Sequence, residues 1–162
     1  MNRGSTLFLK FAISLIAILA LAICIFVLPD MAARDAAAHP DLAYQRYPFL
    51  AYAYALCIAF FVALYQAFKL LTYIDANKAF SESAVRALRV IKYCAIIISA
   101  LIVAGVITVM VMSAGKGEDI TGIVMMGLIL TFISGIGATL AAVLQKNLQK
   151  AVELKSENEL TV

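Results

Sequence analysis

The sequence has few of the residues on which most active sites depend. It contains one histidine and three cysteines among 162 residues, and charged side chains make up only 14%. A structural zinc site needs about four nitrogen or sulfur ligands, so the lone His39 does not indicate one. No glycine-rich phosphate loop follows a strand, and no nucleophile has a paired base. We therefore expect no metal, no cofactor and no enzymatic activity.

The cysteines do not indicate a disulfide framework. Cys24, Cys57 and Cys94 lie within or at the end of apolar runs, their number is odd, and no C-x-x-C pair occurs. Cysteines in such positions usually behave as small hydrophobic side chains. We interpret all three as packing residues.

Apolar residues, in contrast, are abundant. They form 64% of the chain, against about 45–50% in soluble domains, and mean hydropathy is +0.97. Four runs of 22 or 23 residues stand out, at 7–28, 49–71, 91–112 and 123–144. A helix of that length covers roughly 33 Å, enough to cross a bilayer core. The sequence predicts a single all-α domain, 1–162, folded as an integral membrane four-helix bundle.

The first run has an alternative interpretation as a cleaved signal peptide, because Arg3 and Lys10 give it a basic start and the small residues Ala32 and Ala33 follow. Its uninterrupted apolar part, 11–28, has 18 residues. The apolar core of a signal peptide is usually shorter, about 7–15 residues. We favour a retained helix.

The positive charges predict the orientation. Cytoplasmic segments of membrane proteins carry an excess of Lys and Arg. One side holds only Arg34, Arg46 and Lys116. The other side holds ten: Arg3, Lys10, Lys69, Lys78, Arg86, Arg89, Lys92, Lys146, Lys150 and Lys155. Both termini should therefore be cytoplasmic. No basic cluster with interleaved aromatic residues occurs, so we expect no direct nucleic-acid binding.

Two segments outside the spans should be helical on the cytoplasmic side. In the loop 72–90, Ser81 is a suitable N-cap for a helix that starts at Glu82 and continues into the third span. Phe80 and Val85 have the spacing of a hydrophobic staple. The tail 145–162 should prolong the fourth helix.

The outer loop 29–48 contains the segment MAARDAAAH, which could make two helical turns on the membrane surface, ended by Pro40. The second outer loop, 113–122, is short and glycine-rich. The third and fourth helices should therefore be antiparallel neighbours.

Small residues at four-residue spacing predict helix packing faces, because small side chains let helix backbones approach closely. They are Ala51, Ala55, Ala59, Ala63 and Ala67 in the second span, and Gly127, Thr131, Gly135 and Thr139 in the fourth. The faces suit packing within the bundle, with a homodimer interface as the alternative. On this pattern, Gly135→Leu should destabilise the fold or the assembly.

A basic stripe lies beside the third span. It comprises Lys78, Arg86, Arg89 and Lys92. It is a candidate contact for anionic lipid head groups, each basic residue contributing about 1 kcal/mol, or for a partner. The alternative is that these charges only fix the topology.

The spans themselves offer little ion chemistry. They contain no Asp, Glu or Pro. Lys10, Lys69 and Lys92 lie near helix ends, where they can reach water. The polar residues in the middle of the spans are interpreted as hydroxyls that can each bond their own helix backbone: Ser14, Ser99, Thr131 and Ser134. This composition argues against a proton relay or a charged ion pathway.

Several segments resemble a known family. They are MNRGSTLFLK, FFVALYQAFKLL, YIDANKAFSESAVRALRVIKYCAIIIS and the closing AAVLQKNLQKAVELKSENELTV. These are similar to the YoaS-like proteins, small bacterial membrane proteins grouped as a domain of unknown function. The resemblance implies a four-span protein of the bacterial cytoplasmic (inner) membrane, often encoded beside a small helix-turn-helix regulator. It implies no catalytic residue.

Two functions fit these observations. The first is a non-enzymatic regulatory or partner-binding protein that acts through its cytoplasmic loop and tail. The alternative is a small oligomeric transporter or channel, which the absence of acidic residues from the spans disfavours.

Overall fold

The computed structural model describes residues 3–38, 40–41, 46–117 and 119–160, and every regular element in them is helical. His39 lies outside the described residues. The elements are α1 (Arg3–Ala22), a π-helical turn (Ile23–Val27), α2 (Leu28–Ala38), α3 (Arg46–Asp75), α4 (Glu82–Ser113) and α5 (Thr121–Leu160). Four continuous helices are long and apolar enough to cross a membrane: Arg3–Ala38, Tyr47–Asp75, Glu82–Ser113 and Thr121–Leu160. The predicted all-α membrane architecture is confirmed.

The first helix does not end at residue 28, as the apolar run suggested. It passes through Pro29 and continues to Ala38, so the segment expected to make two helical turns is helical and continuous with this helix. The π-helical turn explains why proline is accommodated. In a π-helical turn each N–H bonds to the carbonyl five residues earlier, and here the Leu28 N–H donates to the Ile23 carbonyl. The next donor in that pattern would belong to Pro29, which has no N–H. The Tyr54 hydroxyl, 3.3 Å away, donates to the Cys24 carbonyl instead.

The helices pack in chain order. α1 and α2 contact α3, α3 contacts α4, and α4 contacts α5, the last pair most extensively. α4 and α5 are therefore antiparallel neighbours, as predicted. Their connection contains Gly115 and Gly117, whose φ angles of 80° and 68° favour glycine. At the start of α5, hydrogen bonds from the Thr121 side chain and backbone N–H lower the pKa of the exposed Asp119.

Burial is concentrated at the end of the molecule that carries both chain termini, called here the termini end. Most apolar side chains along the spans are exposed, as expected of helices whose solvent is lipid. The residues buried at the termini end are Thr6, Leu71, Ala84, Val85, Ala87, Leu88, Cys94, Ala141 and Gln145. This end is therefore the best-packed part of the protein.

Candidate functional site at the termini end

The α4–α5 pair extends beyond the apolar run of α5. α5 has 40 residues, or about 60 Å of helix, and its last 16 residues, 145–160, follow the apolar run. Eight of the less exposed positions of α5 follow one another in steps of four and three: Gly127, Thr131, Ser134, Ala138, Ala141, Gln145, Leu148 and Val152. Such spacing keeps one stripe against a neighbouring helix. α4 and α5 therefore form a helical hairpin. The start of α4 and the end of α5 both extend beyond the apolar runs.

This seam differs from the predicted small-residue face of α5. Gly127 lies against α4, where an added Cβ would overlap the Val106 side chain. Gly135 has nothing within 4 Å of a Cβ, and Thr139 is exposed. A strict four-residue spacing rotates around a helix by about 40° per step, so it leaves the interface after one or two steps. Thr131, one step from Gly127, is still half-buried.

The alanine face of α3 rotates in the same way. Ala51 and Ala55 are exposed, whereas Ala59, Ala63 and Ala67 are half-buried. The close α3–α4 approach instead involves Tyr52 and Gly105, neither of which the small-residue pattern predicted.

Tyr52 lies directly over Gly105. Its hydroxyl donates to the Leu101 carbonyl on α4, and a Cβ at Gly105 would come within 2.8 Å of the Tyr52 Cζ atom. Glycine is required here because an aromatic ring occupies the space of a side chain. A tyrosine on one helix and a lone glycine on the next gave no periodic signal in the sequence.

The hydroxyl residues of the spans do not all bond their own helix. Ser14 and Thr131 do, to the carbonyls of Lys10 and Gly127 at 2.9 and 2.7 Å. Ser134 instead donates to the Ala95 carbonyl of α4 at 2.9 Å. The buried Ser99 Oγ has no hydrogen-bond partner among the described residues. The interpretation is therefore wrong for Ser134, which bonds the neighbouring helix instead of its own, and for Ser99, whose hydroxyl makes no hydrogen bond to its own helix.

The turn between α3 and α4 is determined by its own hydrogen bonds. The N–H groups of Asn77 and Lys78 donate to the carbonyls of Ile74 and Tyr73 at 3.2 and 2.8 Å. This is a Schellman motif with Asn77 at the left-handed position, φ 57°. The predicted N-cap is confirmed, since Ser81 Oγ accepts the Ala84 N–H at 3.3 Å. Phe80 is 57% exposed, and the staple with Val85 stays a prediction.

Asn77 provides the first test of this turn. We expect Asn77→Val to destabilise the protein by about 1–2 kcal/mol, because a β-branched residue strongly disfavours a positive φ. Asn77→Gly should be close to neutral and serves as the matched control. Thermal unfolding in detergent measures both. Equal stability of the two variants would contradict the assigned turn.

Lys10 and Asp75 form an ion pair that the sequence did not reveal. The Lys10 Nζ lies 2.8 Å from the Asp75 carboxylate, and the two side chains are only 20% and 33% exposed. The ammonium also lies 5.5 Å from the centre of the Phe68 ring. α3 reaches Asp75 rather than ending near residue 71, which brings this carboxylate to the start of α1. The pair ties the first two spans together at the termini end.

The four residues of the basic stripe lie in three different surroundings. Arg86 and Arg89 share a groove between α4 and α5, whereas Lys92 lies over the Tyr93 ring, 4.8 Å from its centre. Lys78 lies in the turn before α4. We call the shared surface the α4–α5 groove, and its lining is Glu82, Val85, Arg86, Arg89, Gln149, Val152 and Glu153. Glu82 is on the same helix as the two arginines and Glu153 is on α5, so the groove carries both signs of charge and is not uniformly basic.

The small volume of the groove suits contact with another protein better than binding of a small molecule. It encloses about 200 Å³, below the roughly 300–1,000 Å³ of typical small-molecule sites. A second cavity of about 270 Å³, lined by apolar residues of α1 and α3, is also below that range. Among the described residues, no three His, Cys, Asp or Glu side chains are grouped to hold a metal. Arginines and glutamates beside exposed apolar surface can pair with complementary charges on another helix.

Comparison with known proteins agrees with this description. A family model described as "Protein of unknown function (DUF2975)" matches residues 30–162. The chain is 51% identical over 162 residues to the "Uncharacterized membrane protein YoaS" of Bacillus subtilis (strain 168), with 100% of both chains covered. No solved structure matches it. The resemblance seen in the sequence is confirmed over the whole chain.

Proposed function

The chain belongs to the DUF2975 family of proteins of unknown function, and we propose that it is a non-enzymatic, partner-binding regulatory protein of the bacterial cytoplasmic membrane. Its working surface is the α4–α5 groove. The observation that carries this proposal is the unbroken extension of α5 to Leu160 beside the buried start of α4. A lipid-embedded bundle needs no such extension to span the membrane.

The charge distribution supports a cytoplasmic position for the groove. Ten of the 13 Lys and Arg residues lie on the side of the termini, which is the side that the positive-inside rule assigns to the cytoplasm. The partner therefore meets the groove from the cytoplasm. A small helix-turn-helix regulator, implied by the resemblance, is the first partner to test.

The mixed charges of the groove support a protein partner over an anionic lipid. Glu82 and Glu153 lie beside Arg86 and Arg89. Carboxylates repel phosphate head groups, whereas alternating charges give register and selectivity to a helix that docks against them.

Site-specific photocrosslinking tests the partner. A benzophenone amino acid at Gln149, within the groove, should join the full chain to one cytoplasmic protein in native membranes. The same group at Met125, which is exposed near the opposite end, should not capture that protein. Arg86→Glu with Arg89→Glu should reduce the Gln149 adduct at least tenfold, and Lys116→Glu should leave it unchanged.

Two outcomes would reject the proposal. One is a Gln149 probe that yields only lipid adducts, which would indicate a head-group contact. The other is capture of the same protein from Met125 and Gln149, which would show that the groove has no selectivity.

A small oligomeric transporter or channel is the second candidate, and one observation favours it. The first membrane helix contains Pro29 beside a π-helical turn, and such turns are frequent at functional sites. The sequence placed Pro29 just outside the first span, 7–28, and gave no sign of the π-helical turn within it. Solute flux in proteoliposomes that exceeds empty vesicles, and that falls when Pro29 is replaced by alanine, would place transport first.

A further inference from the structure

A cavity of about 270 Å³ lies between the first two membrane helices, and we call it the α1–α3 cavity. An apolar cavity of about 150 Å³ is enough to hold a benzene molecule, so this one can hold a segment of a hydrocarbon chain. Phe68 lies nearest its termini end. The rest of its lining is Ile13, Ser14 and Ala17 of α1 and Phe61, Leu64 and Tyr65 of α3.

The lining offers apolar contact rather than hydrogen bonds. The Ser14 hydroxyl is already used, since it donates to the Lys10 carbonyl at 2.9 Å. Tyr65 and Phe68 are 63% and 39% exposed, so the cavity opens sideways onto the surroundings of the bundle. In a membrane those surroundings are lipid. An empty apolar space forfeits dispersion contacts on its lining, and an acyl chain of a neighbouring lipid restores them.

Both walls of the cavity carry a lysine one helical turn nearer the termini end. Lys10 precedes Ser14 by four residues, and Lys69 follows Tyr65 by four, so each lysine lies on the same side of its helix as a lining residue. Lys10 is neutralised by Asp75 at 2.8 Å. Lys69 is exposed and forms no ion pair within the part of the chain that the structure describes. The termini end of the cavity therefore carries a net positive charge.

We propose that the α1–α3 cavity binds one acyl chain of an anionic phospholipid whose head group meets the Lys69 ammonium. This inference is independent of the proposed function, because the α4–α5 groove lies on other helices. Basic pockets between membrane helices on the cytoplasmic side are typical sites for anionic head groups. A head group at Lys69 places the attached chain about one turn, or 6 Å, further along the helix, where the cavity begins.

The charges here differ from those of the α4–α5 groove. The carboxylate beside this cavity, Asp75, already has Lys10 as its partner, so its repulsion of a phosphate is offset. The bound chain would also complete the packing of α1 against α3, which contact each other less extensively than α4 and α5 do.

Native mass spectrometry of the full-length protein in detergent tests the proposal. Titration with dioleoyl phosphatidylglycerol should show one saturable lipid. It should bind about fivefold more tightly than dioleoyl phosphatidylcholine, which is the effect of one lysine near an anionic head group. Lys69→Gln should remove this preference. Lys150→Gln, which changes an exposed lysine of α5, is the matched control and should retain it.

Filling the cavity tests the acyl-chain contact. Ala17→Leu should weaken the binding of both lipids by about tenfold, because the larger side chain occupies the space of the chain. Ala55→Leu, at an exposed position of α3 outside the cavity, should leave both affinities unchanged. Circular dichroism checks that each variant is helical. Leu64→Phe, which fills the cavity from α3, replaces Ala17→Leu if that variant loses helix.

Glycerol phosphate, an anionic head group without acyl chains, distinguishes a lipid site from a site for free phosphate. At the same concentrations it should not displace phosphatidylglycerol. Displacement by glycerol phosphate, equal affinity of the wild type for the two lipids, or wild-type binding in the cavity-filling variant would each overturn the proposal. So would an equal loss of preference in Lys69→Gln and Lys150→Gln, since it would indicate attraction to the overall positive charge rather than to this site.

Discussion

Leucine at Gly127 is expected to destabilise the protein by roughly 3 kcal/mol, whereas leucine at Gly135 should not destabilise the isolated chain. At Gly127 even a Cβ would overlap the stiff, β-branched Val106, and overpacked cores commonly lose about 1–3 kcal/mol. At Gly135 a Cβ meets nothing within 4 Å. Both substitutions gain up to about 1 kcal/mol in helix propensity, so their difference isolates packing. Unfolding of both variants in the same detergent gives this difference.

The same pair of variants separates packing within the chain from homodimer formation. If the exposed face near Gly135 joins two copies, Gly135→Leu should change the oligomeric state in size-exclusion chromatography without lowering the unfolding temperature. Equal destabilisation by both substitutions would contradict the α4–α5 seam described here. It would instead support the four-residue pattern predicted from sequence.

Removal of either partner of the Lys10–Asp75 ion pair is expected to cost about 1–3 kcal/mol. The remaining charge would stay two-thirds or more buried without its partner, and hydrogen bonds to charged groups have about this value. A double-mutant cycle with Lys10→Ala and Asp75→Ala should give a coupling free energy well above 0.5 kcal/mol, on the scale of about 0.5–3 kcal/mol seen for residues in contact. Exchange of the two residues should restore part of the stability.

The chain contains its own control for this cycle. Arg34 and Asp30 form an ion pair at 3.0 Å, but their side chains are 81% and 56% exposed. Exposed pairs one helical turn apart contribute about 0.3–0.5 kcal/mol. The coupling for Lys10 and Asp75 should exceed that for Arg34 and Asp30. Equal coupling free energies in the two cycles would show that partial burial at the termini end does not strengthen the Lys10–Asp75 ion pair.

Much of the architecture could be predicted because it depends on local properties of the sequence. Run length and hydropathy predict four helices that are able to span a membrane. The Ser81 cap predicts where α4 begins, since its hydroxyl acts within three residues. The extension of α5 follows from the absence of any Gly or Pro after Gly137 that would end a helix.

The features that the sequence did not reveal depend on contacts between distant residues. Lys10 is close to a helix end, and only the fold brings Asp75 to it. Gly105 is one of eight glycines, and only the position of the Tyr52 ring makes it necessary. Pro29 follows an apolar run and therefore indicates a helix end. The Tyr54 hydroxyl on another helix supplies the hydrogen bond that the interrupted π-helical turn needs.

The candidate site was predicted in part. The predicted stripe contained Arg86 and Arg89 of the groove, and the tail supplied its second wall. Glu82 and Glu153 change the character of that surface from basic to mixed. Their effect could not be read from sequence, because it requires knowing which residues of α5 lie opposite the start of α4.

The proposed cytoplasmic position of the α4–α5 groove is tested most directly by labelling single cysteines in intact cells. In a background of Cys24→Ala, Cys57→Ala and Cys94→Ala, one cysteine is placed in the α4–α5 connection (Gly117→Cys) and another in the extension (Ser156→Cys). A membrane-impermeant maleimide should label the first in intact cells and the second only after permeabilisation. Labelling of Ser156→Cys from outside, with Gly117→Cys protected, would place the groove outside the cytoplasm and contradict the proposed function.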